Sequence, residues 1–592
     1  MASIIGTNGN DTLSLIDGDT LIGGGSNDIY YLNRLYGNTQ TFTITDFGGI
    51  GQGTNPTPGV IAEVDTLIFH SGLTAQNLLL TQNGTNLEIT FDDSYYTYSY
   101  YNPEVTLQNF ALENLDNLST STGATVDLGN IVFDGQTITT DSFDVFNADS
   151  TQSTIFNKNT VTFLNDLNNN VEGFDDSDDV INGQGGDDII DGKSGNDLLR
   201  GGAGNNTLYG GAGDDTLSAR RSIGDNLLSG GDGNDSLDIS GRYNSNYGKS
   251  DTRSTGNNTL KGGAGDDTLS ASASKGDNLL SGGDGNDYLD ISGSYTTLYV
   301  INDSRSTGNN TLKGGAGDDT LLAGGSKGDN LLSGGDGNDY LDISGEYRGY
   351  RGVSDSRSTG NNTLKGGAGD DTLLAGGLTG DNLLSGGDGN DYLDISGSDF
   401  SLYSTDSRST GKNTLKGGAG DDTLRAGGSI GDNLLSGGDG NDYLDISGSY
   451  SSTTNFDSRS TGNNTLDGGS GNDTLIGGNG NDILIGGSGI DTFIFNSYNN
   501  KGVDTIYDFN ATNELIQVSA TGFGGGLSIG SLSANQFTIG TSATTGDQRF
   551  IYDNSTGGLF FDQDGSAGGF TQVKFAQLSI GLSLTNNNFV VG

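Results

Sequence analysis

Cysteine and tryptophan are absent from this 592-residue chain, and histidine and methionine occur once each. Without cysteine there can be no disulfide, no thiolate metal site and no cysteine nucleophile. The single histidine, His70, excludes a two-histidine zinc helix of the H-E-x-x-H type and leaves no serine with a plausible base. It follows "LIF" and reads as a strand-end or surface residue. Basic residues are also scarce, 26 against 76 acidic ones, so the formal net charge is -50. That balance excludes a default nucleic-acid binder, disfavours anionic membrane surfaces and suits cations. Only 31% of the chain is hydrophobic, and no run approaches the roughly 18 to 20 apolar residues of a membrane helix. The start, "MASIIGTNGNDTL", lacks the basic residues and apolar run of a cleaved secretory signal, so any export is expected to use another address.

What the chain has is glycine, 104 residues of it, and aspartate. Such a composition ordinarily gives disorder, because self-repulsion and backbone entropy outweigh a thin apolar set. Its regularity argues for structure. The string "GDNLLSGGDGND" begins at 224, 276, 328, 380 and 431, at spacings of 52, 52, 52 and 51. Inside one unit, Leu260, Leu269, Leu280, Leu289 and Leu312 are separated by 9, 11, 9 and 23 residues, so the last gap holds an insertion. At both ends of the array the spacing relaxes to nine, as "GGAGDDTLS" from 210 and "GGSGNDTLI" from 468. Chance or a flexible linker would not keep glycine phase and leucine period together.

The underlying nonapeptide is G-G-x-G-x-D-x-U-x, with U apolar. Over residues 176 to 492, and briefly at "GTNGNDTL" (6 to 13), the sequence resembles the calcium-binding repeats of RTX proteins. The residues agree with that resemblance. Glycine permits left-handed backbone angles that turn carbonyl oxygens inward, aspartate adds a carboxylate, and hard cations prefer oxygen ligands of both kinds. The expected fold is all-β, a parallel β-roll (β-helix) solenoid of stacked coils with β-rich flanking regions. In the family, each calcium ion sits between turns of adjacent coils.

The sixth position alternates between aspartate and asparagine, and successive turns lie on opposite edges of such a roll. One edge then carries full turns, whose first and fourth glycines and aspartate are the candidate calcium ligands. They are Gly210, Gly213 and Asp215; Gly230, Gly233 and Asp235; Gly262, Gly265 and Asp267; Gly282, Gly285 and Asp287; Gly314, Gly317 and Asp319; and Gly334, Gly337 and Asp339. Further along are Gly366, Gly369 and Asp371; Gly386, Gly389 and Asp391; Gly417, Gly420 and Asp422; Gly437, Gly440 and Asp442; and Gly468, Gly471 and Asp473. Asp197 and Asp491 extend the set, and Asp188 and Asp482 restore aspartate to the second edge at its ends. The asparagine turns, such as those of Asn278 and Asn330, are expected to be calcium-poor, so that changing these two to alanine should barely move the calcium midpoint.

The 23-residue gaps fall on the calcium-poor edge, so five inserts should project there, one every second coil and roughly 10 Å apart. They are rich in aromatics: Tyr243, Tyr247, Tyr295, Tyr299, Tyr347, Tyr350, Phe400, Tyr403, Tyr450 and Phe456. These rings either cover the end of a thin core or bind glycan or a neighbouring molecule. A recurring Asp-Ser/Thr-Arg, as at Asp303 and Arg305, reads as a structural ion pair within the loop.

The expected organisation is short repeats over 1–30, a β-rich spacer over 31–150, a linker over 151–175, the roll over 176–492 and a β-rich region over 493–592. The last region resembles the ends of RTX proteins exported by type I secretion, whose signal is carboxy-terminal and uncleaved. No catalytic constellation emerges, and the long apolar helices of pore-forming relatives are missing. The layout resembles cyanobacterial oscillin-like and surface-layer RTX proteins. It implies an extracellular structural protein that folds on calcium, with the secretion machinery and possible self-assembly as its partners. The alternative is a calcium-dependent adhesin that uses the aromatic inserts on surface glycans.

Overall fold

A three-residue strand with one apolar side chain buries nothing alone; it needs a strand above, a strand below and a facing layer. The computed structural model supplies all three. It describes every residue except 1–2, 15–19, 33–34, 37–39, 71, 92–99, 137–140, 221, 242, 245–249, 297–301, 349–352, 401–404, 452–455 and 499–501. The chain divides into two compact units, Met1–Leu237 and Asp238–Gly592.

In the second unit each coil has a six-residue strand, such as Thr259–Ala264, and a three-residue strand, such as Thr268–Ser270. The six-residue strands stack in parallel, Thr259–Ala264 on Leu279–Asp284 and that on Thr311–Ala316. The three-residue strands do the same on the other side, with Leu269 opposite Leu289 and Leu289 opposite Leu321. Because strand side chains alternate, the middle leucine points inward while its two neighbours point out. Leu260, Leu269, Leu280, Leu289, Leu312 and Leu321 are accordingly sealed from solvent. This is a parallel β-roll.

The interior is wider at one edge, where Ile291, Ile343, Ile395 and Ile446 alternate with Ala271, Ala323, Ala375 and Ala426. A buried serine closes that space every second coil. Ser358 donates to the carbonyls of Ile343 (2.9 Å) and Ala323 (3.1 Å), and Ser409 does the same to Ile395 and Ala375. These serines end the Asp-Ser-Arg-Ser string at the base of each insert.

The inserts leave from this edge as hairpins and join side by side in a ten-stranded antiparallel sheet. Tyr295–Thr296 pairs with Asn302–Asp303 of its own hairpin and with Ser354–Asp355 of the next. Two strands per insert give a repeat of roughly 10 Å. Each base is pinned by a bidentate pair: Arg305 donates to both oxygens of Asp303 (2.9 and 3.1 Å), and Arg357, Arg408 and Arg459 repeat the contact with Asp355, Asp406 and Asp457.

Three boundaries differ from the sequence reading. The 30/31 boundary cuts the strand Ile29–Leu32, which pairs in parallel with Thr12–Ser14 and Thr66–Phe69, so the amino-terminal repeats and the spacer share sheets and one core. Residues 151–175 are no bare linker. They contain Val161–Phe163 and Asn170–Glu172, which pair in parallel with Val180–Asn182 and Ile189–Ser194 as coils without the glycine signature. Buried Val161 and Phe163 hold them in place. Parallel stacking also runs past 492, through Thr492–Phe495 onto Leu515–Val518. The antiparallel strands Phe550–Asp553, Gly558–Phe561 and Val573–Gln577 follow, with Phe523, Phe550, Phe561 and Phe575 packed ring against ring.

Leu341 lies fully buried in the middle of Tyr340–Asp342. Leu341→Ala is expected to cost about 2 to 5 kcal/mol in denaturant unfolding at saturating calcium.

Candidate metal centre

Each full turn links a long strand to a short one over six residues. In Gly366-Gly367-Ala368-Gly369-Asp370-Asp371 the second and fourth glycines have φ of 140° and 127°. Residues with a Cβ rarely adopt such angles. The fourth glycines named above all fall between 125° and 136°. The second glycines, Gly211, Gly231, Gly263, Gly283, Gly315, Gly335, Gly367, Gly387, Gly418, Gly438 and Gly469, are equally left-handed, from 108° to 140°, and the sequence reading passed over them. The first glycines serve by their lack of bulk: a Cβ at Gly366 would collide with the carboxylate of Asp371.

The sixth-position aspartates form a file down this edge. Asp371 is 1% exposed. Its Oδ1 accepts from the backbone N–H of Asp339 one coil back (2.7 Å), and its own N–H donates to Oδ1 of Asp391 one coil on (2.9 Å). The same bond links Asp287 to Asp319, Asp391 to Asp422, Asp422 to Asp442, Asp442 to Asp473 and Asp473 to Asp491. In the first unit it links Asp197 to Asp215. One oxygen per carboxylate is thus spent on joining coils.

The other oxygen is buried with no hydrogen-bond donor. This holds for Oδ2 of Asp287, Asp319, Asp339, Asp371, Asp391, Asp422, Asp442, Asp473 and Asp491, and for Asp188, Asp197 and Asp215 in the first unit. A buried, unpaired carboxylate oxygen is costly, so the file demands a partner. Its surroundings say which kind. A Cβ placed on Gly417 would strike Oδ2 of Asp422 and lie 2.6 Å from the carbonyl oxygen of Gly437 on the next coil. At Gly468 the same point is shared by Asp473 and the carbonyl of Gly486. Orphaned carboxylate and inward carbonyl converge where only glycine leaves room. This all-oxygen donor set fits a hard cation such as calcium. Among the described residues no three His, Cys, Asp or Glu side chains cluster.

Burial pushes these carboxyls up, and neighbouring aspartates add to the rise while the inter-coil hydrogen bond opposes it. Asp188, Asp215, Asp287, Asp319, Asp371, Asp422 and Asp473 reach about 7, and Asp197, Asp235, Asp339, Asp391 and Asp442 about 6.

The second edge solves the same problem without a cation. Oδ1 of Asn330 accepts from the N–H of Asn310 (3.3 Å) and from Ser326 Oγ (3.1 Å). Where an aspartate would have an orphaned oxygen, the amide Nδ2 donates to the carbonyl of Gly328 (2.8 Å) and to Oδ1 of Asn362 (2.8 Å). Asn278, Asn310, Asn362, Asn382 and Asn433 repeat the pattern. The amides of these turns thus join coils directly. Asp482, expected as a ligand, has both oxygens engaged: Oδ1 by Asn464 and Oδ2 by the N–H of Gly478. Its neighbour Asp504, buried and raised to about 8, was not foreseen.

Two aromatics at the insert bases are covered by arginine. Arg305 lies 4.6 Å over the ring of Tyr295, and Arg357 lies 5.0 Å over Tyr347. Tyr247, Tyr299, Tyr350 and Tyr403 lie outside the described residues, as do the side chains of Tyr243, Phe400 and Tyr450. His70 stacks on Tyr31, with Asp134 3.8 Å away.

A parallel β-roll edged by left-handed glycines and half-satisfied carboxylates is a solenoid whose edge suits hard cations. Ten stretches of the chain match the RTX calcium-binding nonapeptide repeat: 175–199, 191–221, 222–238, 271–291, 306–326, 325–342, 358–377, 377–394, 409–444 and 459–493. This is an RTX-type repeat protein, and its repeats are calcium-binding ones. No curated protein matches the chain.

Two predictions follow from the edge. Gly335→Ala combines a φ of 140° with a collision against the carbonyl of Gly315, and should abolish the calcium-induced circular dichroism of its coil. The raised carboxyls fix the pH response of metal-free protein. A carboxyl at about 6 to 7 when folded and about 3.9 when unfolded holds its proton more tightly in the fold, so stability falls as pH rises through that window. Chelator-treated protein should therefore show more β-structure at pH 5 than at pH 8, and the calcium midpoint should rise as protons compete at low pH.

Proposed function

We propose that this protein is a calcium-folded structural component of the cell surface, exported by a type I system and assembled outside as a sheath, surface layer or matrix. The observation that carries the reading is the one-sided file of buried carboxylate oxygens. It extends down the repeat of the second unit from Asp287 to Asp491. Asp215, Asp287, Asp319, Asp339, Asp371, Asp391, Asp422, Asp442 and Asp473 would hold calcium together with carbonyls of the glycine turns on adjacent coils. Bound calcium would neutralise the facing carboxylates and satisfy their second oxygens. The carboxylates themselves do the coupling, because each already binds the neighbouring coil through Oδ1.

The same file explains export. Where calcium is scarce, these like charges repel across each coil step of about 4.8 Å, and the chain stays extended enough for a narrow channel. Extracellular modules typically bind calcium with Kd of about 10⁻⁴ to 10⁻³ M, so folding would follow release. Among the described residues no helix is long and apolar enough to cross a membrane. The arginine cover on Tyr295 and Tyr347 favours a structural role for the insert bases over glycan binding.

Calcium titration of chelator-treated protein, followed by far-UV circular dichroism and light scattering, tests the reading. A cooperative gain of β-structure with growing particles is expected. A folded monomer of constant size would instead indicate an adhesin, and no gain in β-structure would overturn the calcium role. Asp287→Asn with Asp339→Asn should raise the midpoint, each lost site removing on the order of 1 kcal/mol.

A further inference from the structure

One row on each outward face of the second unit carries charge of opposite sign on one period, while the long strands also bear exposed Asp284, Asp336, Asp388 and Asp439 at their turn ends. On the face of long strands, Lys261, Lys313, Lys365 and Lys416 point outward in a single row, alternating with Ser281, Ser333 and Ser385. All four lysines are exposed. The described ion pairs of this unit lie on the inserts and reach none of them. On the face of short strands the corresponding row holds Asp290, Asp342, Asp394 and Asp445, separated by Leu322, Leu374 and Arg425. Beside it runs a row of Tyr288, Tyr340, Tyr392 and Tyr443 alternating with threonine. Asp342 also lines an open groove of about 550 Å³, walled by Ser292, Ser344 and Ser356 between sheet and inserts.

Lysine and aspartate occupy alternate coils. Lys313 shares its coil with Thr320–Leu322, and Asp342 shares its coil with Leu331–Asp336. Sliding one roll along another by a single coil, about 4.8 Å, places every lysine coil over an aspartate–tyrosine coil. The same shift places the outward Leu331 and Leu383 over the coils of Leu322 and Leu374. Charge and apolar contact thus come into register together, which no shift of two coils achieves.

We infer that a second copy of this chain docks its lysine face on the aspartate–tyrosine face, and that repetition of this head-to-tail contact stacks the rolls into layers. The interface is heterologous and does not close, so it propagates. The inference rests on the reading of the protein as a self-assembling surface component and names the surface it would use. The contact is built from exposed charges and should weaken as salt shortens the screening length below about 10 Å.

Sedimentation velocity of the full chain in millimolar calcium tests it, at low salt and at 0.5 M salt (about a 4 Å screening length). Wild type should form large species that dissociate at high salt. Lys313→Glu with Lys365→Glu alters exposed side chains that form no ion pair among the described residues, so folding should be kept while association weakens at least tenfold. Asp342→Lys with Asp394→Lys should do the same, and mixing the two double variants should restore assembly. If that second variant fails to gain β-structure with calcium, Asp342→Asn with Asp394→Asn, which retains the bonds from Ser344 and Ser396, reads the contact by its loss. Large species that persist in the lysine variant would overturn this docking and leave the surface-layer reading standing. Loss of assembly without rescue on mixing would overturn the complementarity alone. A wild type that remains monomeric with calcium would overturn both.

Discussion

Everything in the second unit depends on one divided carboxylate. On the metal-binding edge the sixth-position aspartates from Asp287 to Asp491 each give one oxygen to the backbone of the neighbouring coil and bury the other without a donor. The first half of that arrangement fixes the coil-to-coil register. The second half makes the register conditional, because a buried anionic oxygen is tolerable only when a proton or a cation meets it. The glycines are what permit the arrangement: two supply left-handed angles and the third leaves the space. A thin core of one leucine per strand could not hold adjacent carboxylates together by itself.

The opposite edge shows what a change of one atom accomplishes. Replacing a carboxylate oxygen by an amide nitrogen turns the orphaned acceptor into a donor, and that donor finds the glycine carbonyl two residues back. The edge is then complete without an ion and free of net charge at that position. This is also the edge that carries the inserts, whose serines and arginine–aspartate pairs bind them to the roll. On this edge the coil-to-coil hydrogen bonds are complete on either side of each insertion.

Alternation recurs outside the ladders. The exposed fifth positions alternate Asp318, Asn338, Asp370, Asn390 and Asp421, each N–H donating to the side chain one coil back at 2.7 to 2.8 Å. Placing a neutral amide between carboxylates separates like charges that would otherwise sit one strand spacing apart. The lysine and aspartate rows of the two faces follow the same two-coil period. A 52-residue repeat is therefore the smallest unit in which both edges and both faces return to their starting chemistry.

The sequence by itself determined the period, the apolar positions, the two kinds of turn and the edge from which the inserts leave, because a solenoid converts sequence spacing directly into spatial stacking. It also named the aspartates that carry orphaned oxygens, Asp482 excepted. It could not reveal that each carboxylate divides its oxygens between a coil and an open position, since that is set by backbone N–H groups 18 to 32 residues away. Nor could it mark Asp144–Val145 and Val161–Phe163 as the start of the stack, because those strands pair without the glycine turn that signals the others. Only tertiary structure decided the joining of the inserts into one sheet, because it comes from lateral hydrogen bonding between hairpins whose distance in the sequence carries no local signal.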